Sequence, residues 1–293
     1  MPSLLNLPTE ILLLVFSRLP PPALTSLLHS CRRLNEVVIP LLYDSVYFWG
    51  SGDLDDFRKA WFPNRQEDLP PNWTRIWDLE AFTRSYCDSI SLRAHVKNVD
   101  LRWHNAEKND DQDVYQCLAA LKSSCLQSLH LSPPRFSFDI PADTAVTSLA
   151  IQHDGLRGDF YAKDDGTELS RLHSLFCIPS LTHFCLDGWR YWGSPTYDRP
   201  ADVREDRMRS SNVEYLTLNK TGVIGKDLQE LLSWPKALRS FSYIPYPHRG
   251  LRYEGLGNLS SRELQYALQH QRRTLENLEA VGSDGVRGKE GNQ

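Results

Sequence analysis

Residues 4–48 read LLNLPTEILLLVFSRLPPPALTSLLHSCRRLNEVVIPLLYDSVYF, and the first third of that stretch is apolar on nearly every side. Pro8 suits the first position of a helix, where its missing N–H would have no partner in any case. Pro20, Pro21 and Pro22 stop the helix, because proline lacks the amide donor and pushes the preceding residue out of the helical region. The spacing therefore predicts a helix from Pro8 to Leu19. Leu12, Phe16 and Leu19 form one stripe at i, i+4 and i+7, Ile11 and Val15 form a second, and Leu13 and Leu14 widen the arc. An ordinary surface helix buries a single stripe.

Further helices are expected at 23–29 and 32–42. They can cover one side of the first, but a unit this small cannot enclose a helix all round. The apolar surface left over marks a partner-binding face; the competing reading is a core helix of a larger domain. A signal peptide would need basic residues ahead of its apolar core, and no Lys or Arg precedes Arg18. A membrane span would need roughly 20 apolar residues, whereas the run from Ile11 to Phe16 is bounded by Glu10 and by Ser17-Arg18.

Leu7-Pro8-x-Glu10-Ile11-Leu12, Val15-Phe16, Leu19-Pro20, Leu24, Leu27, Leu28 and Cys31-Arg32-Arg33-Leu34, in that order, resemble the F-box. Pro40-Leu41-Leu42-Tyr43 with the strand-like Val46-Tyr47-Phe48 is similar to the continuation common in fungal F-box proteins. Two positions depart from the pattern: Ala23 replaces the usual acidic residue, and Leu34 the usual tryptophan. The resemblance covers about the first sixth of the chain and implies a three-helix F-box over 1–48. It further implies docking onto the Skp-type adaptor of SCF ubiquitin ligases and, through it, onto cullin. Carried over position by position, the adaptor-binding residues are Leu7, Pro8, Glu10, Ile11, Val15, Leu19, Pro20 and Leu24. The apolar members would desolvate the contact, while Glu10 supports the first turn through the helix dipole.

A formal net charge of −4 over 293 residues gives no electrostatic footprint for nucleic acid. Six cysteines are too sparse for a disulfide scaffold, so reduced thiols in a cytosolic or nuclear protein are expected. Residues 49–95 form an aromatic-rich connector, including Trp61, Trp73, Trp77, Phe82 and Tyr86, with a helix expected over 79–87. Its rings are expected to pack rather than to line a pocket.

Over 96–281 apolar residues recur at i, i+3 and i+5. The instances are Val96-Val99-Leu101, Leu126-Leu129-Leu131, Val146-Leu149-Ile151, Leu181-Phe184-Leu186, Val213-Leu216-Leu218 and Leu238-Phe241-Tyr243, with a weaker Leu275-Leu278. Helix-like segments at 113–123 and 227–234 lie between them. Strand, helix, strand in this register resembles leucine-rich repeats. The expected fold class is mixed α/β, an N-terminal three-helix F-box followed by an irregular leucine-rich-repeat-like solenoid with parallel strands. A compact α/β domain would show apolar strands alternating with helices as well; the recurring spacing favours the solenoid. Alternation along its strands points Asp100, Arg102, His130, Gln152, His183, Asp187, Tyr215, Thr217 and Asn219 outward as candidate substrate-binding residues. Trp189, Arg190 and Trp192, in the insertion 188–193, join them because aromatics with arginine anchor protein interfaces; the alternative is a loop whose rings fold back on the neighbouring repeat. The charge-dense stretch 194–211 reads as a mobile loop and 282–293 as a disordered tail.

No catalytic motif emerges. Cys177, His183 and Cys185 lack paired C-x-x-C spacing for a metal. Gly222-Val-Ile-Gly225-Lys226-Asp227 has too few residues between its glycines for a phosphate loop and no Ser or Thr after the lysine. There is no G-x-S-x-G elbow, and His153-Asp154 reads as a turn. No cofactor is implied. The sequence reads as a non-catalytic substrate receptor, binding an adaptor by its head and an unknown target protein by its repeats, without nucleic acid or membrane. The alternative is an adaptor-binding scaffold that assembles no ligase.

Overall fold

The computed structural model describes residues 4–49, 73–102, 108–121, 125–132, 140, 144–152, 167–189, 207–223, 225–245 and 261–281. The chain divides into two compact units, Met1–Leu129 and His130–Gln293. The fold is mixed α/β, with helices at the N-terminus and parallel strands after them.

In the first unit a 3-10 turn (Leu4–Asn6) precedes α1 (Thr9–Phe16), α2 (Pro21–Leu28) and α3 (Arg32–Tyr43). Helix α1 stops at Phe16 rather than Leu19. There the Ser17 hydroxyl donates to the Leu14 carbonyl, and the Leu19 N–H reaches Phe16 O at 2.9 Å, tightening the chain into a short turn ahead of Pro20. The prolines that end α1 also open α2, since a first turn needs none of their missing donors. Leu12, Phe16, Leu24, Leu34, Val37, Val38 and Leu42 close into the core of the head. Burying each such side chain stabilises the unit by about 1.5–3 kcal/mol.

Strand β1 (Ser45–Trp49) leaves α3 directly and lies between β2 (Thr74–Ile76) and β3 (Asn98–Arg102), parallel to both. The N-terminal helices thus feed straight into a strand that is paired on both sides. Helix α4 (Leu79–Asp88) is capped by the Asp78 carboxylate, which accepts from Ala81 N–H at 2.8 Å; α5 (Ile90–His95) is capped by the Ser89 hydroxyl on Leu92 N–H. Phe82 and Tyr86 of α4 are buried, as expected of the connector, whereas Trp77 is exposed under the Arg75 guanidinium, 3.7 Å from its ring centroid. Helix α6 (Lys108–Ala120) follows, and β4 (Ser128–Ser132) spans the boundary between the units.

The second unit pairs β5 (Ser148–Gln152), β6 (His183–Asp187), β7 (Tyr215–Thr221), β8 (Ser240–Pro245) and β9 (Asn277–Ala280), all parallel and in chain order. Helices α7 (Thr167–Phe176), α8 (Gly225–Ser233) and α9 (Ser261–Ala267) lie between them in sequence. Gly225 enters α8 at φ 56°, a backbone region where a side chain would be strained.

The i, i+3, i+5 spacing has a structural cause. Its first residue, Val96, Leu126, Val146, Leu181, Val213 or Leu238, is fully buried just ahead of a strand, and the other two share the strand's buried face. At the entries to β6, β7, β8 and β9 one carbonyl takes two successive N–H groups. Thr147 O accepts from Thr182 and His183, Thr182 O from Glu214 and Tyr215, Glu214 O from Arg239 and Ser240, and Arg239 O from Glu276 and Asn277. Asp44 O and Lys97 O do the same in the first unit. The buried Gln271 side chain ties the last turns together: its Nε2 donates to Leu232 O and Pro235 O at 2.9 Å, and its Oε1 accepts from Leu238 N–H at 3.0 Å.

The thiols check this placement. Burial pushes the Cys117 thiol up to about 12, and burial together with the Asp187 carboxylate pushes Cys185 up to about 11, whereas Cys87, Cys125 and Cys177 are exposed. Only the thiolate is nucleophilic. At pH 8 iodoacetamide is therefore expected to modify the three exposed thiols first. Cys185 should react slowly and faster as pH climbs, and Cys117 only after unfolding, as read by peptide mass spectrometry.

Candidate functional site

Helix α1 has two faces. Leu12 and Phe16 point into the core, while Ile11, Leu14 and Val15, at i, i+3 and i+4, stand 44%, 58% and 46% exposed. Leu4 is exposed near the helix start, as are Pro8, Glu10 and Pro20, and Leu7 and Leu19 are half-buried. Arg33 of α3 donates to the Leu7 carbonyl at 2.7 Å, holding the approach to α1 in place. Leu24 is only 4% exposed; it fills the core beneath α1 and supports this face rather than forming part of it. Leu14, left out of the candidate set because it only widened the apolar arc, is the most exposed apolar side chain of α1. Its spacing from Ile11 is the signal that could have found it.

In the second unit the strands alternate. Leu149 and Ile151, Phe184 and Leu186, Leu216 and Leu218, and Phe241 and Tyr243 are buried, and the intervening side chains form an open face in register. One row runs Ser148, His183, Tyr215; the next Ala150, Cys185, Thr217; the third Gln152, Asp187, Asn219. The His183 ring lies flat on Tyr215, centroids 4.3 Å apart and planes 6° apart, and its Nδ1 is 2.9 Å from the Thr182 hydroxyl. Gln152, His183, Asp187, Tyr215, Thr217 and Asn219 are thus brought together on one surface.

Other candidates are placed differently. Asp100 and Arg102 belong to the first unit and are 2% and 8% exposed. The guanidinium grips the carboxylate through Nε at 2.9 and 3.1 Å and through a terminal nitrogen at 2.7 Å. Opposite charges two residues apart share a strand face, so alternation turned them toward each other. His130 is half-buried on β4, and Trp189 is buried after β6. Arg190, Trp192, the tail 282–293 and the stretch 194–206 lie outside the described residues.

Cys177 does not converge with His183 and Cys185. Its sulfur lies 3.6 Å from His173 Nε2, which is itself 3.0 Å from the Ser210 hydroxyl. Among the described residues no group of three or more His, Cys, Asp or Glu could hold a metal ion, and no helix is long and apolar enough to cross a membrane. A family model described as F-box-like matches residues 4–49. No curated protein sequence matches the chain.

Proposed function

Residues 4–49 of this chain are an F-box-like domain, and from that premise we propose that the protein is the substrate-receptor subunit of an SCF-type ubiquitin ligase. The observation that carries this reading is the uncovered Ile11–Leu14–Val15 face on α1 within the matched segment. Apolar side chains at helical spacing are what a groove on a partner takes up. With Leu7, Pro8, Glu10, Leu19 and Pro20 around them they would seat the Skp-type adaptor, which brings cullin.

The second unit would hold the target protein on its open face. The shared carbonyl at successive strand entries supports reading its strands as units of an irregular leucine-rich-repeat-like solenoid. In this role the chain is a receptor and transfers nothing itself. Holding a target beside a ubiquitin-charged enzyme raises the effective concentration of the target's lysines.

The test is co-purification of the full chain with a Skp-type adaptor and a cullin, against Leu7→Ala with Pro8→Ala. Deleting the head is a poorer control, because residue 45 begins the strand between β2 and β3. We expect the native chain to bring down both partners and the double variant neither. Adaptor without cullin would favour the scaffold reading. Adaptor held equally by the variant would defeat the assignment of the interface.

A further inference from the structure

This inference rests on the receptor reading and concerns what the second unit holds. The side chains of Gln152, Asp187 and Asn219 stand side by side on β5, β6 and β7, at the about 4.8 Å spacing of neighbouring strands. All three are half-buried, and none hydrogen-bonds or ion-pairs with any other described residue. A half-buried carboxylate with no partner is costly, and it gains most from a cation that also satisfies its neighbours. The amide oxygens of Gln152 and Asn219 can turn toward such a donor from either side.

The surroundings select the sign of the ligand. Across the registered rows of this face the charged side chains are Asp187 and Glu279, with no Lys or Arg among them. Among the described residues the nearest base along the chain is Lys220, exposed at the bulge after Asn219, and it makes no ion pair with Asp187. On the described face an acidic ligand would meet carboxylates with no base in their rows, and a neutral one would desolvate Asp187 without return. The small side chains of Ala150, Cys185 and Thr217 leave a floor on which an aliphatic stem can lie, and the His183–Tyr215 stack stands beyond it. From that stack to Asp187 is about 13 Å along the strand, which is room for an extended segment rather than a single small molecule.

We propose that the open face of β5–β7 binds an extended segment of the target protein through a lysine or arginine whose cation sits between Gln152, Asp187 and Asn219. The basic side chain is the specificity element, and the stacked rings contact the segment elsewhere.

The test uses the full chain bound to its adaptor and a positional-scanning library of ten-residue peptides, each pool fixed as Arg, Lys, Ser or Glu at one position. The expected result is retention of the Arg and Lys pools about tenfold above the Glu pool, with Asp187→Asn erasing that preference and Gln152→Ala weakening it a few-fold. Glu279→Gln should leave the preference intact. If Glu279→Gln removes it as fully as Asp187→Asn, only a diffuse field acts and the seat is wrong. Equal retention of all pools, none of any pool, or no effect of Asp187→Asn also overturns the inference, while adaptor binding in the same sample leaves the receptor reading standing. A native chain that fails to hold the adaptor strikes that reading instead.

Discussion

Ile11→Glu combined with Leu14→Gln is expected to lower adaptor affinity by about 100-fold or more, with no measurable loss of thermal stability. Two centrally placed apolar anchors contribute on the order of 2 kcal/mol each when a partner desolvates them. Both replacements are good helix formers, and a glutamate in the first turn suits the helix dipole, so α1 should survive. Both positions are well exposed, which is why the free chain should not register their loss. Leu24→Ala provides the contrast. It empties a core site and should cost about 2–5 kcal/mol of stability, reducing adaptor binding only through the fraction unfolded. Isothermal titration and a thermal melt on the same samples separate the two cases. A double variant that still binds tightly would move the docking surface elsewhere.

Asp100→Ala should destabilise the first unit by about 3–5 kcal/mol, because it removes the carboxylate that the buried Arg102 guanidinium grips through three short contacts. Replacing both, Asp100→Leu with Arg102→Met, is expected to recover most of that loss, since a buried ion pair gives back in attraction little more than its desolvation cost. Urea unfolding followed by tryptophan fluorescence measures all three chains. If Asp100→Ala proves neutral while weakening target binding, the pair serves recognition after all.

These two experiments mark where the sequence was legible and where it was not. The head could be read because the apolar spacing and the prolines each act within one turn, so local rules set helices close to the expected positions. Strands β3 to β8 could be read because a fully buried residue precedes each of them at a fixed distance. Strand β2, Thr74–Ile76, carries too few residues to show a period, and it exists because β1 lies beside it. Helices α5 and α9 were missed because six and seven residues are too few to show a period, and tertiary packing decides helices of such length; α7, ten residues long, carries its signal in Leu169, Leu172 and Phe176 at i, i+3 and i+7, all buried. The candidate site followed the same division. Alternation correctly put Gln152, Asp187 and Asn219 on one surface, yet alternation alone could not tell that Asp100 and Arg102 would satisfy each other.

The carbonyl shared by two N–H groups at the entries to β6, β7, β8 and β9 has a consequence for how such a chain can change. Register is handed from one strand to the next at the entry, ahead of the segment that leaves a strand's far end. Strand starts at Ser148, His183, Tyr215, Ser240 and Asn277 are unevenly spaced, and the ladder between them still holds. Insertions and deletions can therefore accumulate in those outgoing segments without the sheet having to be solved again. A chain built this way is free to change the lengths of its connections while its framework stays the same.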